Sequence, residues 1–240
     1  MVVRRQTIHV PGRGRIHSPV PEGIRVGDFI FSSLLGPVGP NREQGANASE
    51  DADLLFERIR GLVVAGGGTP DDIVSMAVYV FDDNDREAIN QAWLKMFPDP
   101  NDRPARHIVN VSPHGTHWRF ASRFTAIIHD LSTKSREGQN LTFSPLLTGR
   151  LGTQIPNDEQ AQCAALFQQV KAWVESVGGG IDNIVDVMVY LMDDKYRKVI
   201  NDEWTKLFPD RSNLPARQTW NVAPAGLEGV HFGATVTALL

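Results

Sequence analysis

The sequence predicts an α+β fold built twice in tandem, in which each copy is a mixed β-sheet with two helices packed on one face. Three observations predict it. The chain repeats itself at a fixed spacing, each copy shows the same order of apolar elements, and each copy places a Pro-Ala-Arg motif before an apolar, strand-like run.

The repeat is clearest in the middle of each copy. Residues Val78–Asp99 align without a gap on Val189–Asp210, which is a shift of 111 residues. The arginines of the two Pro-Ala-Arg motifs, Arg106 and Arg217, follow in the same register. A match of this length indicates a duplicated module rather than a chance resemblance.

The duplication divides the chain into a first repeat, residues 1–130, and a second repeat, residues 131–240. The polar segment 130–139 holds a glycine and is typical of a linker. The early runs FIFSSLLG, from Phe29, and LTFSPLLT, from Leu141, also pair. The second repeat lacks the N-terminal extension of the first.

Each repeat shows the element order β-β-α-β-α-β-β. A β-rich run comes first, and a helix follows whose apolar residues recur at helical spacing until glycines end it. A continuous, β-branched apolar run then predicts a buried strand, and a second helix ends at Phe-Pro-Asp because proline cannot continue it. The predicted ranges are helices 51–67 and 164–180, strands 73–81 and 184–192, and helices 85–97 and 195–208. The glycine runs Gly66–Gly68 and Gly178–Gly180 match with a slip of one residue.

Composition narrows the class of protein. The chain has 240 residues, 41% hydrophobic and 22% charged, with a net charge of −4, which disfavours nucleic acid as a partner. A single cysteine, Cys163, excludes a disulfide within the chain and indicates a reducing compartment. The sequence has no signal-like N-terminus and no apolar run long enough for a bilayer, so we expect a cytoplasmic protein without membrane contact.

Together these motifs resemble the Rid/YjgF family of reactive-intermediate (enamine/imine) deaminases. The strand ending in serine, the helix stopped by glycines, the run VYV-DD, the helix with a central asparagine and the Pro-Ala-Arg strand carry this resemblance, which covers nearly the whole chain twice. The resemblance implies a chorismate-mutase-like fold and a homo-oligomer, a trimer or another multiple of repeat units, with ligand clefts between units. It also implies hydrolytic deamination of a small, carboxylate-bearing enamine or imine, of the 2-aminoacrylate or 2-aminomuconate kind.

The same resemblance assigns Arg106 and Arg217 to the substrate carboxylate. A guanidinium is suited to this, since its planar fork grips a carboxylate with two charge-assisted hydrogen bonds. The alternative is an ion pair between each arginine and an acidic residue at a subunit interface. We expect the two arginines to differ, with Arg106 the one that acts on substrate.

Three further residues match family positions near the cleft. Asn90 and Asn201 lie in the second helix of each repeat, where asparagine is a mediocre helix former, so each either lines the cleft or holds the Pro-Ala-Arg loop. Ser33 matches a cleft serine, or is an ordinary serine at a strand end. The second repeat has Pro145 at that position, so the two sites should not be equivalent.

The last strand departs from the family. Relatives carry a glutamate there that positions or activates water, whereas Ala121 and Gly233 stand at the aligned positions. His231 lies two residues before Gly233 and could act as acid or base, and His17, in the loop ahead of the first strand, is a second candidate for the substrate cleft. A satisfied surface or interface histidine is the alternative for each.

The predicted catalytic set is therefore Arg106, Asn90, Ser33 and His231, with substrate binding by Arg106, Arg217, Asn201 and His17. We expect no cofactor and no metal, because His107, His114 and His117 lack a matching carboxylate pattern. Trp93 and Trp204 are interpreted as core residues, and Cys163 as non-catalytic. The alternative function is a non-catalytic, regulatory protein that binds small anions, and an RNA-cleaving enzyme is disfavoured by the acidic net charge.

Overall fold

A computed structural model describes residues 4–10, 19–41, 43–111, 117–128, 140–152, 154–221 and 229–240. Contacts divide the chain into two compact units, one of residues 7–133 and one of residues 1–6 with 134–240. The boundary between the units lies close to the one expected from the repeat. Residues 4–6 differ from that expectation, since they belong with the second unit.

The first unit contains a six-stranded sheet in the order β1-β2-β3-β6-β4-β5 and two helices. Strands β4 and β5 run parallel, whereas β2–β3, β3–β6 and β4–β6 are antiparallel. The elements are β1 Gln6–Ile8, β2 Gly23–Val26, β3 Phe29–Ser32, α1 Ala48–Ala65, β4 Ile73–Val80, α2 Arg86–Met96, β5 Ala105–Asn110 and β6 Phe120–Ile127.

The second unit repeats this plan with a sheet in the order β10-β9-β11-β7, and β8 also pairs with β11. Strands β9 and β10 run parallel, and β11 is antiparallel to its neighbours. The elements are β7 Leu141–Phe143, β8 Leu147–Thr148, α3 Glu159–Ser176, β9 Ile184–Leu191, α4 Arg197–Leu207, β10 Ala216–Asn221 and β11 Phe232–Leu239. The predicted α+β class with mixed sheets and two helices per repeat is confirmed.

The helices form where the sequence supplies both a cap and an apolar face. Asn47 caps α1 by accepting a hydrogen bond from the backbone N of Glu50, and Asp158 caps α3 in the same way from Ala161. The apolar face of α1 then packs on the sheet with side chains such as Leu55, which is fully buried. Full burial of one such side chain is worth about 1.5–3 kcal/mol, so the amphipathic face holds the helix on the sheet.

The glycine runs show that the repeat keeps its spacing through the helix ends. Within these runs, Gly67 and Gly178 have a positive φ, +86° and +87°, and they are 111 residues apart. The third glycine of the second run, Gly180, therefore occupies the place of Thr69, and both residues precede a short 3-10 turn. The slip suggested by matching the glycines as a block is absent from the structure.

Both Pro-Ala-Arg arginines lie at the second position of a strand at the sheet edge. Arg106 is on β5, paired in register with Met76 of β4, and Arg217 is on β10, paired with Val187 of β9. This topology places each guanidinium next to the second helix of its own repeat. None of the helices that the structure describes is long and apolar enough to cross a membrane.

Candidate functional site: the Pro-Ala-Arg arginines

Arg106 stacks on a tryptophan of the neighbouring helix. Its guanidinium carbon lies 4.6 Å from the ring centroid of Trp93, which is buried at the inner side of α2. The side chain of Arg106 is half-buried, and its Nη1 is shielded from solvent with no hydrogen-bond partner among the described residues. A buried donor without a partner is costly, which makes this nitrogen a place where a ligand oxygen would be favoured.

The charges around Arg106 are positive. Burial lowers the pKa of this guanidinium, and the nearby Arg103 and Arg86 lower it further. Over the described part of the chain, no carboxylate forms an ion pair with Arg106. The nearby positive charges therefore favour an anion beside this guanidinium, whether it belongs to a ligand or to an acidic residue of a partner subunit.

Arg217 has the same stacking partner but a different surrounding. Its guanidinium carbon lies 4.7 Å from the ring centroid of Trp204, and its Nη2 donates to Oδ1 of Asn201 at 2.5 Å. The residue is only 6% exposed. Burial, and to a lesser degree Arg197, lowers the pKa of Arg217 to about 9.

The two asparagines of the repeat therefore differ in what they hold. Asn201 bonds the Pro-Ala-Arg arginine directly, which is the helix-to-loop role considered for it. Asn90 instead donates from Nδ2 to the exposed carboxylate of Glu87 at 3.3 Å, one turn earlier in α2. Within the described ranges, the guanidinium of Arg217 is thus bonded by the asparagine of its own repeat, whereas that of Arg106 is not.

The tryptophans were expected to be core residues only, and this part of the interpretation is incomplete. Trp93 and Trp204 are buried, but each also presents its ring to the guanidinium of its own repeat. Such a contact holds an arginine flat and is worth roughly 0.5–1 kcal/mol at an accessible site. The sequence could have indicated this contact, because each tryptophan follows its asparagine by three residues and both tryptophans occur at the repeat spacing.

Ser33 lies away from Arg106 within the first unit. It is buried directly after β3, and its backbone N donates to the carbonyl oxygen of Glu22 at 2.8 Å. Strands β6 and β4 separate β3 from β5, so three strand spacings, about 14 Å, lie between the two residues. One unit by itself does not bring Ser33 and Arg106 into a single cleft. Pro145, at the equivalent place in the second repeat, is exposed.

The positions of the family glutamate are equivalent in the two sheets. Ala121 pairs with Tyr79, and Gly233 pairs with Tyr190, in antiparallel register. Both residues are buried. Neither has a side chain that can move a proton, so water activation by a carboxylate at this position is absent from both repeats.

His231 precedes β11, and its ring lies beside Tyr196, the residue directly before α4. Its ring stacks on Tyr196 with a centroid separation of 5.1 Å and an interplanar angle of 10°, and its backbone N donates to Oε1 of Gln162 at 3.0 Å. Its Nδ1 is buried and has no hydrogen-bond partner among the residues described. No contact between this ring and Arg217 or Asn201 is found in that same set, so the structure gives His231 no direct link to the guanidinium.

The equivalent residue of the first repeat, Arg119, is held by ion pairs. Its Nε lies 3.3 Å from Oδ2 of Asp51, and its Nη1 lies 3.4 Å from Oδ2 of Asp85. Burial raises the pKa of Asp51, while the hydrogen bond from the backbone N of Gly45 and the charge of Arg119 oppose that shift. The two repeats thus carry different groups at one place, an arginine with two aspartates in the first, and a histidine with a tyrosine and a glutamine in the second.

The remaining candidates add little to the site. His17 and His114 lie outside the described residues, while His107 and His117 are exposed. Across the described ranges, no three histidine, cysteine or acidic side chains come close enough to hold a metal ion. Cys163 is buried and donates to the carbonyl oxygen of Val199 at 3.7 Å, and burial raises the pKa of its thiol to about 12.

The protein is of the class built from two α+β modules in tandem. In each module, a Pro-Ala-Arg arginine on an edge strand stacks on a tryptophan of the second helix. A family profile described as endoribonuclease L-PSP matches residues 16–128 and 143–239. The chain therefore belongs to this family, and the Rid/YjgF resemblance is confirmed.

Single-module relatives match part of this chain. A RutC family protein of Saccharolobus solfataricus is 35% identical over 96 residues, which is 39% of this chain and 75% of the relative. The 2-iminobutanoate/2-iminopropanoate deaminase of Escherichia coli K12 is 31% identical over 96 residues, with the same coverage of both chains. The crystal structure of Escherichia coli TdcF with bound serine is 27% identical, covering 51% of this chain and 98% of that chain at a TM-score of 0.47.

Proposed function

We propose that this protein is a hydrolytic deaminase of small, carboxylate-bearing enamines or imines, and that Arg106 binds the substrate carboxylate. The observation that carries the proposal is the state of the Arg106 guanidinium, which is stacked on Trp93, lies among positive charges and has a shielded Nη1 without a partner among the described residues. Membership of a family that includes relatives named as deaminases supports the reaction class.

The proposed chemistry asks little of the protein. An enamine gains a proton at carbon and loses one from nitrogen to become an imine. Water then adds to the imine carbon, and the resulting carbinolamine expels ammonia to leave a carbonyl group. Water supplies the oxygen of the product, and its two hydrogens leave with the nitrogen. Holding the carboxylate in a bidentate grip orients the adjacent imine carbon toward water, which lowers the barrier by positioning.

The missing glutamate limits how water is activated. With Ala121 at the family position, we propose that the first repeat relies on positioning of water by Asn90, by Ser33 or by a main-chain carbonyl rather than on a carboxylate base. An imine beside a carboxylate is electrophilic when protonated, so a weak nucleophile suffices. The separation of about 14 Å between Ser33 and Arg106 supports a cleft assembled from more than one module, in keeping with the expected homo-oligomer.

The second repeat has a different part in this proposal. Arg217 is buried and bonded to Asn201, so it is a poor receiver of an incoming carboxylate. We assign His231 and Asn201 to the second repeat as residues whose effect on catalysis is indirect. The working site is thus the first repeat, and the second contributes structure or a cleft wall.

The test is ammonia release from enzymatically generated 2-aminoacrylate by the wild type and by Arg106→Ala. Arg60, an exposed arginine of α1, supplies a control variant, Arg60→Ala, with the same change of charge. The expected result is a large loss for Arg106→Ala and none for Arg60→Ala. Equal rates for the wild type and Arg106→Ala would remove the assigned role of this arginine.

A non-catalytic protein that binds small anions is the second candidate. It is favoured by Ala121 and Gly233, which leave both repeats without the family carboxylate. Calorimetry with small keto and hydroxy acids separates the two functions. Binding that depends on Arg106, together with no ammonia release by the wild type, would identify the binder.

A further inference from the structure

The side chain of Arg5 is buried in the second unit, with only 1% of it exposed. Its Nε and Nη2 both donate to the carbonyl oxygen of Asn213, at 2.9 and 2.5 Å. Its Nη1 donates to the carbonyl oxygens of Ile181, at 2.9 Å, and Ile184. The backbone N of Arg5 also donates to Oδ1 of Asn213 at 2.9 Å. One guanidinium therefore joins the loop before β10 to the start of β9.

This arginine is a compensated, structural cation, unlike Arg106. Asp182 lies 3.7 Å from its Nη2 and also accepts a hydrogen bond from Nδ2 of Asn213 at 2.8 Å. The ring of Phe208 lies 5.5 Å from its guanidinium carbon. The guanidinium of Arg5 is surrounded by carbonyl oxygens, a carboxylate and an aromatic ring. It therefore already has partners and is not a candidate for binding a ligand.

The loop that Arg5 holds is the one that leads to Arg217. Asn213 stands four residues before Arg217, and the residues between them, Leu214, Pro215 and Ala216, are buried. A displaced Asn213 would carry this short, packed segment with it. Nη2 of Arg217 meets Oδ1 of Asn201 at 2.5 Å, so a displacement of about 1 Å would take the pair out of hydrogen-bonding range.

The first repeat holds its loop in another way. Arg103, at the position of Leu214, donates to the carbonyl oxygens of Phe97 and Pro98 at 3.0 and 3.3 Å. The first Pro-Ala-Arg loop is thus tied down by an arginine from within the loop. The second repeat has a leucine there, and the guanidinium that holds its loop comes from the N-terminal segment instead.

We propose that Arg5 is the positioning residue of the second Pro-Ala-Arg motif, so that the N-terminal segment of the chain sets the geometry of Arg217. The coupling acts through Asn213 and does not depend on deaminase activity in the first repeat. Any process that releases residues 4–6 from the second unit would loosen the Arg217 site and leave the Arg106 site as it is.

The experiment compares Arg5→Ala and Arg5→Lys with Arg4→Ala in the full chain. Arg4 is the matched control, because it is exposed and its side chain makes one long hydrogen bond, 3.5 Å, to Oγ of Ser212. Amide hydrogen exchange is followed in segments 211–221 and 100–110, and the exchange of the side-chain Nε–H is followed by NMR for Arg217 and Arg106.

For Arg5→Ala we expect at least a tenfold faster exchange of the amides in 211–221 and of the Arg217 Nε–H. The amides of segment 100–110 and the Arg106 Nε–H should exchange at the wild-type rate. Arg4→Ala should leave the exchange rates of both repeats unchanged. Arg5→Lys should fall between, since an ammonium cannot reproduce the fork that reaches three carbonyl groups. Should Arg5→Ala not fold, the same ordering is required of Arg5→Lys against Arg4→Ala. An unchanged Arg217 signal, or equal acceleration in both repeats, would overturn the proposal.

Discussion

The pair Asn201 and Asn90 allows a matched test of how the two repeats differ. Both residues occupy one position of the repeat, in the second helix, three residues before the tryptophan. Asn201 accepts a hydrogen bond from the buried guanidinium of Arg217 at 2.5 Å, whereas Asn90 bonds the exposed carboxylate of Glu87 at 3.3 Å. We therefore expect Asn201→Ala to destabilise its unit and Asn90→Ala to be nearly neutral.

The magnitude follows from the partner that each change leaves behind. A hydrogen bond to a charged group contributes about 1.5–3 kcal/mol, and its loss leaves the guanidinium of Arg217 without that acceptor inside the fold. For Asn90→Ala the surface bond is worth little, and the better helix propensity of alanine, about 0.5 kcal/mol, offsets it. At about 4 °C per kcal/mol, the value where the ranges for small and for larger domains meet, Asn201→Ala should lower the melting temperature of the second unit by about 6–12 °C.

The assay must resolve the two units, because a two-unit chain need not unfold in one step. Thermal unfolding is therefore combined with hydrogen exchange of peptides from α4 and β10, and from α2 and β5. We expect protection from hydrogen exchange to be lost only in the Asn201→Ala variant, and there only in α4 and β10. Equal losses in the two variants, or a larger loss in Asn90→Ala, would refute the assignment of Asn201 as the cap of Arg217.

Three further outcomes are expected. Arg217→Ala should reduce ammonia release less than Arg106→Ala, measured as kcat/KM on 2-aminoacrylate; equal losses would contradict the asymmetry. Burial raises the pKa of the Cys163 thiol to about 12, so Cys163 should resist a thiol reagent at pH 8 in the folded protein and react at once in denaturant. Rapid labelling of the folded chain would show that the thiol is accessible. Gly67→Ala should destabilise the first unit by about 1–2 kcal/mol, because the φ of Gly67 is +86°. Gly61→Ala should stabilise the same unit by about 0.5–1 kcal/mol, because Gly61 lies inside α1 and an added Cβ would have its nearest neighbour atom at 3.6 Å. Both are measured by denaturant unfolding, and changes of the same sign would contradict the backbone assignment.

The order of elements was predictable because it depends on local periodicity. Helix α1 was expected over 51–67 and spans Ala48–Ala65, and its start moved because Asn47 acts as the cap. Matching the glycine runs as blocks suggested that the repeat alignment shifts by one residue here. The positive φ values of Gly67 and Gly178, which are 111 residues apart, show that the spacing of the repeat is unchanged. A composition match alone does not say which glycine adopts the left-handed conformation, since that depends on how the helix end is hydrogen-bonded.

The site was predictable only in part. Residue types and spacing were sufficient to single out Arg106 and Arg217, and to predict that Ser33 and Pro145 make the repeats unequal. The stacking of each guanidinium on a tryptophan was not predicted, because a buried aromatic residue in a helix is most often explained by packing alone.

The amino-acid sequence by itself determined that the protein is a duplicated α+β module with two Pro-Ala-Arg arginines and without the family glutamate, because repeats, periodicities and motifs are properties of neighbouring residues. Only the tertiary structure decided that Asn201 bonds Arg217, that Ser33 lies far from Arg106 within one unit, and that Arg5 bonds the loop at Asn213. Such contacts join residues distant along the chain, 208 positions apart for Arg5 and Asn213, so no local pattern reveals them.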